Sequence, residues 1–501
     1  MLRVTAFISV LVVLQGFFVV TACQAQNEGK VRKTMVAGSF YPADPEELAQ
    51  MVDSFLAKAT VPKSSGPLIG LIAPHAGYVY SGHVAAEAYA RLKGRPIERV
   101  IVISPSHVDA FEGVSIYDGD FYATPLGNIA VDKDFAHKLA RESFRLALSS
   151  RGHETIHRGR GEHALEVHLP FLQRVLTDFV LVPLVMGDQN YETCRDLGKA
   201  LARLISDDKT IIVASSDLSH FHPYEEAMQL DDKVITAIRE GDYFNLSRNL
   251  QSQQWEACGG GPIVALMIAA EALGSAKATF LKYANSGDVA YGDKSRVVGY
   301  VSFAFFKDVR SGKNKSQSFQ LNKDEQKELL SIAKQAVHTY VKEKKVIDLP
   351  EPKHEKLRQD RGAFVTLKIN HQLRGCIGVT APIKPLYQVV RDVAIQAAVQ
   401  DYRFRPVTPR ELPQLSFEIS VLSPFHNVLN EKDIVVGEHG LLIKRGSKTG
   451  LLLPQVPVEQ GWDRLTFLQQ CCAKAGLPPD AWKDADTDIF LFTAFVFGDD
   501  E

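Results

Sequence analysis

The chain has little that would mark it for a specialised class. Its 501 residues hold only six cysteines and three tryptophans, and 57 Lys and Arg stand against 59 Asp and Glu. A formal net charge of -2 leaves no electrostatic footprint for nucleic acid. No Lys/Arg cluster reads as a polybasic membrane patch. The scattered cysteines do not resemble a disulfide framework. No internal repeat relates the two halves, and no low-complexity tract stands out beyond one polar, Ser- and Lys-rich stretch at 309–320. What is present is ordinary for a soluble globular protein, with 45% hydrophobic and 23% charged residues. The length suits about two or three domains with sizeable cores.

The N-terminus departs from this pattern. Arg3 supplies a short positive region, 4–20 is largely apolar, and Val20-Thr21-Ala22-Cys23 sets small residues before a cysteine. This reads as a lipoprotein signal over 1–23 with Cys23 lipidated, followed by a tether over 24–31. Acyl chains would then anchor an exported protein to the cell envelope, facing the periplasm in a diderm, without spanning the membrane. Two other readings compete. One is an uncleaved anchor helix, because the apolar run nearly reaches the ~18 residues a span needs. The other is a cytoplasmic product of a mis-read start. The remaining cysteines are Cys194, Cys258, Cys376, Cys471 and Cys472. In an exported protein they need burial, a metal or reducing conditions.

From 32 to 308, apolar strand-like runs at 68–73, 100–104, 180–185, 211–215, 278–284 and 297–306 alternate with amphipathic stretches. Helices are predicted over 45–58, 82–92, 132–142, 163–176, 191–206, 226–239 and 262–273. Alternation of this kind predicts an α/β domain, a central sheet with helices on both faces. A linker over 309–322 follows. Asn322 and Glu325 form a capping pair opening a helix that carries Leu329, Ile332, Ala333, Ala336, Val337 and Tyr340 at helical spacing. The remainder, 323–498, mixes strands at 362–369, 415–422, 440–444 and 489–496 with helices at 386–400 and 463–475, an α+β pattern.

Three of the first domain's strands run straight into histidine: LIGLIAPH ending at His75, VIVISPSH ending at His107, and IIVASSDLSH carrying Asp217 and His220. In an open α/β sheet, ligands bind beyond the carboxyl ends of parallel strands. Imidazoles and carboxylates gathered there are metal ligands. Cys258 begins ACGGGP before a predicted helix, and a thiol at a helix N-terminus is expected to have a lowered pKa. Glu162, His163 and Glu166 are spaced to share a helix face. They either line the pocket or cap and hydrogen-bond behind it. His163 or His168 has the chemistry of a general acid/base. His153 and His157 flank a Gly/Arg-rich loop and read as solvated, while Cys194 reads as a small core residue.

These segments carry a resemblance. APHAGY at 73–78, SPSH at 104–107, EHALEVHLP at 162–170, SSDLSH at 215–220 and CGGGP at 258–262 resemble the Memo family, which is related in fold to class III extradiol dioxygenases. The resemblance implies a pocket with an iron or copper ion. His75 and His107 match the metal-ligating histidines, Cys258 the pocket cysteine, and Asp217 and His220 the other pocket residues. Extradiol enzymes use two histidines and a carboxylate. A cysteine in place of the carboxylate argues against ring cleavage and favours softer ions.

In the second domain, LRGCIG at 373–378 reads as a strand, a glycine-permitted turn and a thiol between two glycines. With DYRFRP at 401–406, EISVL at 418–422, HGL at 439–441, LLPQV at 452–456 and KAGL at 474–477, it resembles the AMMECR family. That family implies a two-part α+β fold and no set reaction. Cys376 as nucleophile with His439 as base is one chemical option; a buried structural cysteine is the other. Cys471 and Cys472 read as packing residues.

The combination resembles the AmmeMemoRadiSam arrangement, which implies a radical S-adenosylmethionine protein as partner. This chain has no CxxxCxxC run and would not supply that cluster. Three functions are expected in order: metal-dependent redox or oxygen chemistry on a small-molecule or peptide substrate, then a non-enzymatic metal-binding scaffold, then a hydrolase acting through Cys376.

Overall fold

The computed structural model describes residues 29–60, 66–290, 292–308, 319–428 and 430–499. The predicted signal with Cys23, most of the tether and 309–318 of the predicted linker lie outside them. Among the described residues no helix is long and apolar enough to cross a membrane.

A nine-stranded sheet forms the first domain. Its strands are β1 (Leu68–Ala73), β2 (Arg99–Pro105), β3 (Val114–Ile116), β4 (Leu146–Leu148), β5 (Val180–Met186), β6 (Thr210–Ser215), β7 (Asp217–His222), β8 (Ser275–Asn285) and β9 (Val297–Lys307). They lie in the order β7-β9-β1-β6-β2-β5-β3-β4, with β8 also pairing β9. β1, β6, β2 and β5 are parallel neighbours. Alternate side chains along them enter two cores. Leu71, Val100, Val102, Ile211 and Val213 join one, while Ile72, Ile101, Ile103, Ile212 and Ala214 join the other. A sheet buried on both faces explains why these strands are apolar at most positions. The first core is covered by α1 (Pro45–Lys58), α2 (Tyr78–Tyr89) and α4 (Leu169–Val175). The second is covered by α3 (Lys133–Ala140), α5 (Tyr191–Leu204), α6 (Tyr224–Glu240), α7 (Tyr243–Gln251) and α8 (Gly260–Ala272).

The second domain begins with α9 (Lys323–Glu343), whose Asn322 and Glu325 form the expected reciprocal capping box. Two four-stranded antiparallel sheets follow. The first contains β10 (Ala363–Ile369), β11 (Gln372–Val379), β12 (Leu415–Leu422) and a strand at Ala494–Gly498, packed against α9 and the helix Leu386–Val399. LRGCIG is therefore continuous strand. The turn precedes it at Asn370 and His371, whose φ values are 51° and 63°. Gly375 serves a close approach instead, since a Cβ there would sit 2.2 Å from the Ala397 carbonyl oxygen.

The domains share one apolar core. Leu422, Phe425, Leu442, Phe490 and Phe492 join the cluster built on α5–α8. The Phe244 ring on α7 lies 4.7 Å from Phe490 and 5.8 Å from Phe425. Ion pairs surround this contact. Lys444 reaches Glu192 at 2.7 Å, Asp488 takes Lys199 at 2.9 Å and Arg195 at 3.3 Å, and Lys233 reaches Asp360 at 3.1 Å. An apolar centre with a charged rim is the anatomy of a standing interface. A cavity of about 430 Å³ lies between the domains, lined among others by Lys233, Trp255, Asp360, Arg361 and Tyr387.

Candidate metal centre

His75 follows β1 and His107 follows β2, while Ser215 ends β6 and Asp217 opens β7. Since β1, β6 and β2 are adjacent and parallel, these residues emerge at one edge of the sheet. α8 brings Cys258 there on the turn before its first residue.

The hydrogen bonds set the state of each ligand atom. Ser215 Oγ donates its one proton to the Ala164 carbonyl at 2.7 Å, so it accepts from His75 Nδ1 at 2.7 Å. His75 is left with a lone pair on Nε2, which faces Cys258 Sγ at 3.1 Å. Burial first, then the neighbouring histidines, hold its pKa well below the ordinary value, so the ring is neutral. Glu162 plays the corresponding part for His107. Its Oε1 lies 3.1 Å from His107 Nδ1 and also accepts from His163 N at 2.9 Å and Ala164 N at 3.0 Å. Burial would raise the Glu162 carboxyl, but His107 and the surrounding N–H groups outweigh it and hold it at about 2. Burial likewise opposes charge on His107, and Glu162 outweighs it, raising that pKa. With Nδ1–H directed to Glu162, His107 also offers Nε2. An imidazole oriented by a carboxylate is the usual support of a metal-ligating histidine.

Asp217 Oδ1 accepts from His75 N at 2.8 Å, and its Oδ2 lies 3.8 Å from His75 Nε2. Burial raises its carboxyl to about 7. Cys258 does not have the lowered pKa expected at a helix N-terminus. Burial, then the Asp217 charge, pushes it well above 9.0. The ligand atoms form two overlapping trios, His75–His107–His163 and His75–Asp217–Cys258, each within 4.8 Å. His75 is common to both. His75 thus meets His107 on one side and Cys258 on the other, with the predicted Asp217 beside Cys258, and the structure adds His163, whose ring stacks on His107 at 4.7 Å. One trio offers three imidazoles and the other an imidazole, a carboxylate and a thiol, donor types that suit a transition-metal ion.

Other predicted residues stand further off. His220 is half-buried on β7, close enough to His75 and His107 to affect their titration, and its backbone N–H points to Glu256 at 3.4 Å. His168 is buried behind the site with Nδ1 on the Tyr89 hydroxyl at 2.7 Å. Glu166 faces away from the cluster. It pairs with buried Arg32 and accepts from Met35 N at 2.8 Å and Val36 N at 3.1 Å. His153 is fully buried instead of solvated, because Tyr122 and the Ser115 carbonyl satisfy both ring nitrogens. In the second domain, Cys376 Sγ accepts from Thr366 Oγ1 at 3.3 Å on the first sheet. His439 sits at the edge of the other sheet with Nδ1 accepting from Val435 N at 3.0 Å. Each is satisfied locally, and burial raises the Cys376 pKa, the opposite of an activated nucleophile. Cys194, Cys471 and Cys472 are packed in cores as expected.

Two contributors escaped the sequence reading. Ser215 lies inside the SSDLSH run but has no ligand chemistry of its own. Gln189 carries no motif at all, yet its Nε2 donates to the Cys258 carbonyl at 2.8 Å and its Oε1 accepts from Gly261 N at 2.6 Å.

Comparison with known proteins identifies the two domains. Residues 32–304 match the family model described as Memo-like protein, and residues 330–497 match that of AMMECR1. A MEMO1 family protein of Methanopyrus kandleri is 37% identical over 286 residues, covering 55% of this chain and 98% of that protein. One of Aquifex aeolicus is 35% identical over 277 residues, covering 55% and 99%. A crystal structure of an uncharacterized protein from Pyrococcus horikoshii is 43% identical with a TM-score of 0.33, covering 34% of this chain and 89% of that one. The chain belongs to the Memo family, and its Memo domain is followed by an AMMECR1 domain.

Proposed function

We propose that the protein carries out metal-dependent redox or oxygen chemistry with one iron or copper ion held by His75, His107 and Cys258. The observation behind this reading is that Ser215 and Glu162 leave Nε2 of both histidines as lone pairs, that of His75 beside the Cys258 thiol. Such an ion, when bound, supplies Lewis acidity or a redox centre. The chain's own residues do the rest. Asp217, titrating near neutrality beside His75, holds or releases a proton at its Oδ2. Burial of His75 and Asp217 keeps water from the inner side of the site. The substrate is a small molecule or peptide.

Metal analysis tests the proposal. The protein, purified without chelators, is compared with a variant carrying His75→Ala, His107→Ala and Cys258→Ala together. About one equivalent of iron or copper, lost in the variant, is expected. Equal metal in both, or none in either, refutes it. One observation favours a second reading, a metal-binding scaffold without turnover: His75, Asp217 and Cys258 bring an imidazole, a carboxylate and a thiol within 4.8 Å of one another, a donor set that holds an ion without any substrate. Bound metal with no reaction on any substrate under O₂ would favour that reading. A radical S-adenosylmethionine partner and lipid anchorage at Cys23 belong to the same proposal. Co-purification and metabolic labelling with a fatty acid test them separately.

A further inference from the structure

Two of the helices on which the second domain rests, α5 and α7, have one end against the turn that carries Cys258. α5 receives Lys444 on Glu192 and Asp488 on Arg195 and Lys199. The residue two positions before α5 is Gln189, whose amide spans the turn from the Cys258 carbonyl to Gly261 N. α7 receives Phe425 and Phe490 on Phe244, and Arg248 Nη1 reaches Thr380 Oγ1 at 3.4 Å. Leu250, one residue from the end of α7, packs on the same turn.

The glycine run is shaped to these supports. A Cβ on Gly259 would sit 1.9 Å from the Ser215 carbonyl oxygen, one on Gly260 2.4 Å from Leu250 Cδ1, and one on Gly261 2.8 Å from Gln189 Cβ. Each glycine permits close approach by a different element: β6, α7 and the lead-in to α5. The turn has almost no freedom of its own, and two of its three supports are elements on which the second domain rests. A hollow of about 350 Å³ borders the turn, lined by Gln189, Ser247, Leu250 and Gly260 among others, so packing there is not filled to the limit.

We infer that Gln189 is a positioning residue for Cys258, and that the AMMECR1 domain acts on the Memo metal site by holding α5 and α7 against the Cys258 turn. This gives the second domain a role that needs no chemistry at Cys376. The inference rests on the reading of Cys258 as a metal ligand only where metal is the probe.

The test uses the full chain, with cobalt(II) as the metal and two readouts. One is the thiolate-to-cobalt charge-transfer absorption during titration. The other, on metal-free protein, is the rate of Cys258 alkylation by iodoacetamide, followed by peptide mass spectrometry. Gln189→Leu removes both hydrogen bonds, and Gln189→Glu keeps only the acceptor for Gly261 N. We expect Gln189→Leu to weaken cobalt binding about tenfold, dim the thiolate band and speed alkylation several-fold, with Gln189→Glu between it and the parent. Lys444→Ala with Asp488→Asn is expected to move both readouts in the same direction by less. Added to Gln189→Leu, that pair should change little further, as coupled sites do. Unchanged readouts in Gln189→Leu overturn the positioning role. Unchanged readouts in Lys444→Ala with Asp488→Asn overturn the role of the second domain. If the parent shows no thiolate band, the ligand assignment of Cys258 fails, and the alkylation rates still decide the inference.

Discussion

Glu162→Gln is the sharpest perturbation of the metal centre, because it alters one buried carboxylate without changing its size. Glu162 is 1% exposed, and its Oε1 accepts from His107 Nδ1, His163 N and Ala164 N at 3.1, 2.9 and 3.0 Å. Its Oε2 accepts from His107 N. A carboxylate satisfies four donors with two oxygens. An amide has one oxygen, and its NH₂ must face at least one N–H that now has no acceptor. A hydrogen bond to a charged group contributes about 1.5–3 kcal/mol, and a buried unsatisfied donor costs about 1–3 kcal/mol. A net loss of about 3 kcal/mol is expected, lowering the melting temperature by roughly 6–12 °C for a domain of this size. The metal site should suffer separately. Without a charged acceptor, His107 loses its preference for Nδ1–H and the Nε2 lone pair is no longer assured. Loss of such a partner typically reduces metal affinity about 10–100-fold. Calorimetry on metal-free protein and a cobalt titration read the two effects independently. A variant as stable as the parent and equal in metal affinity would show that Glu162 is neither charged nor coupled to His107, and the argument for the centre would fail with it.

Ser215→Ala removes the acceptor for His75 Nδ1–H, and about a tenfold loss of metal affinity is expected. ¹⁵N chemical shifts of His75 should move away from the Nδ1–H tautomer, and an unchanged tautomer refutes the assignment. Asp242 is buried at the N-terminus of α7, and burial raises its carboxyl from 3.8 to about 6. A raised acid pKa favours the folded state while the group is protonated. That contribution is complete below about pH 3.8 and is lost as pH rises through about 6. Asp242→Asn keeps an oxygen cap, so it should be more stable than the parent by about 1–3 kcal/mol above pH 6 and equal to it near pH 4. A variant weaker than the parent at pH 8 would sink this. Asp488→Ala leaves Lys199 and Arg195 facing an empty, buried position and should cost about 3 kcal/mol, seen as a shifted midpoint in urea unfolding. An unmoved midpoint would make the ion pairs decorative.

Much of the first fold was legible because burial on both faces writes itself into composition. The runs at 68–73, 100–104, 180–185 and 211–215 are almost wholly apolar, and each is a strand between the two cores. Helices 45–58 and 191–206 were legible from amphipathic spacing, and the structure caps them with Asp44 and Asn190. Short edge strands such as Val114–Ile116 and Leu146–Leu148 span too few residues for a period to show. α7 was missed for another reason. Its sequence, YFNLSRNLQ, looks half polar, yet Asn245, Ser247 and Asn249 are buried along with Tyr243, Phe244 and Leu246. A helix sandwiched between two domains has no solvent face to mark it, and no local pattern announces partners as distant in sequence as Phe425 and Phe490.

The site divides in the same way. His75, His107, Asp217 and Cys258 were legible because ligand chemistry is restricted to a few residue types and because strand ends are predictable collecting points. Glu162 was readable only as one of two alternatives. What decides its role is that Glu162 and His163 precede any helix, so the carboxylate turns toward His107 while Glu166, in the next turn, faces Arg32. The same spacing argument had placed both on one face. Ser215 and Gln189 were not legible, because a hydroxyl or an amide acquires its part only from the groups that fold against it. Ser215 sets a tautomer because the Ala164 carbonyl takes its one proton. Gln189 sets a turn because three glycines have cleared space for β6, α7 and itself. Residue type predicts where metal chemistry is available; the tautomers and turns that determine whether it is usable are properties of the packed neighbours. Two of those neighbours, α5 and α7, also bear the second domain, and that is why two domains with separate motifs are expected to behave as one site.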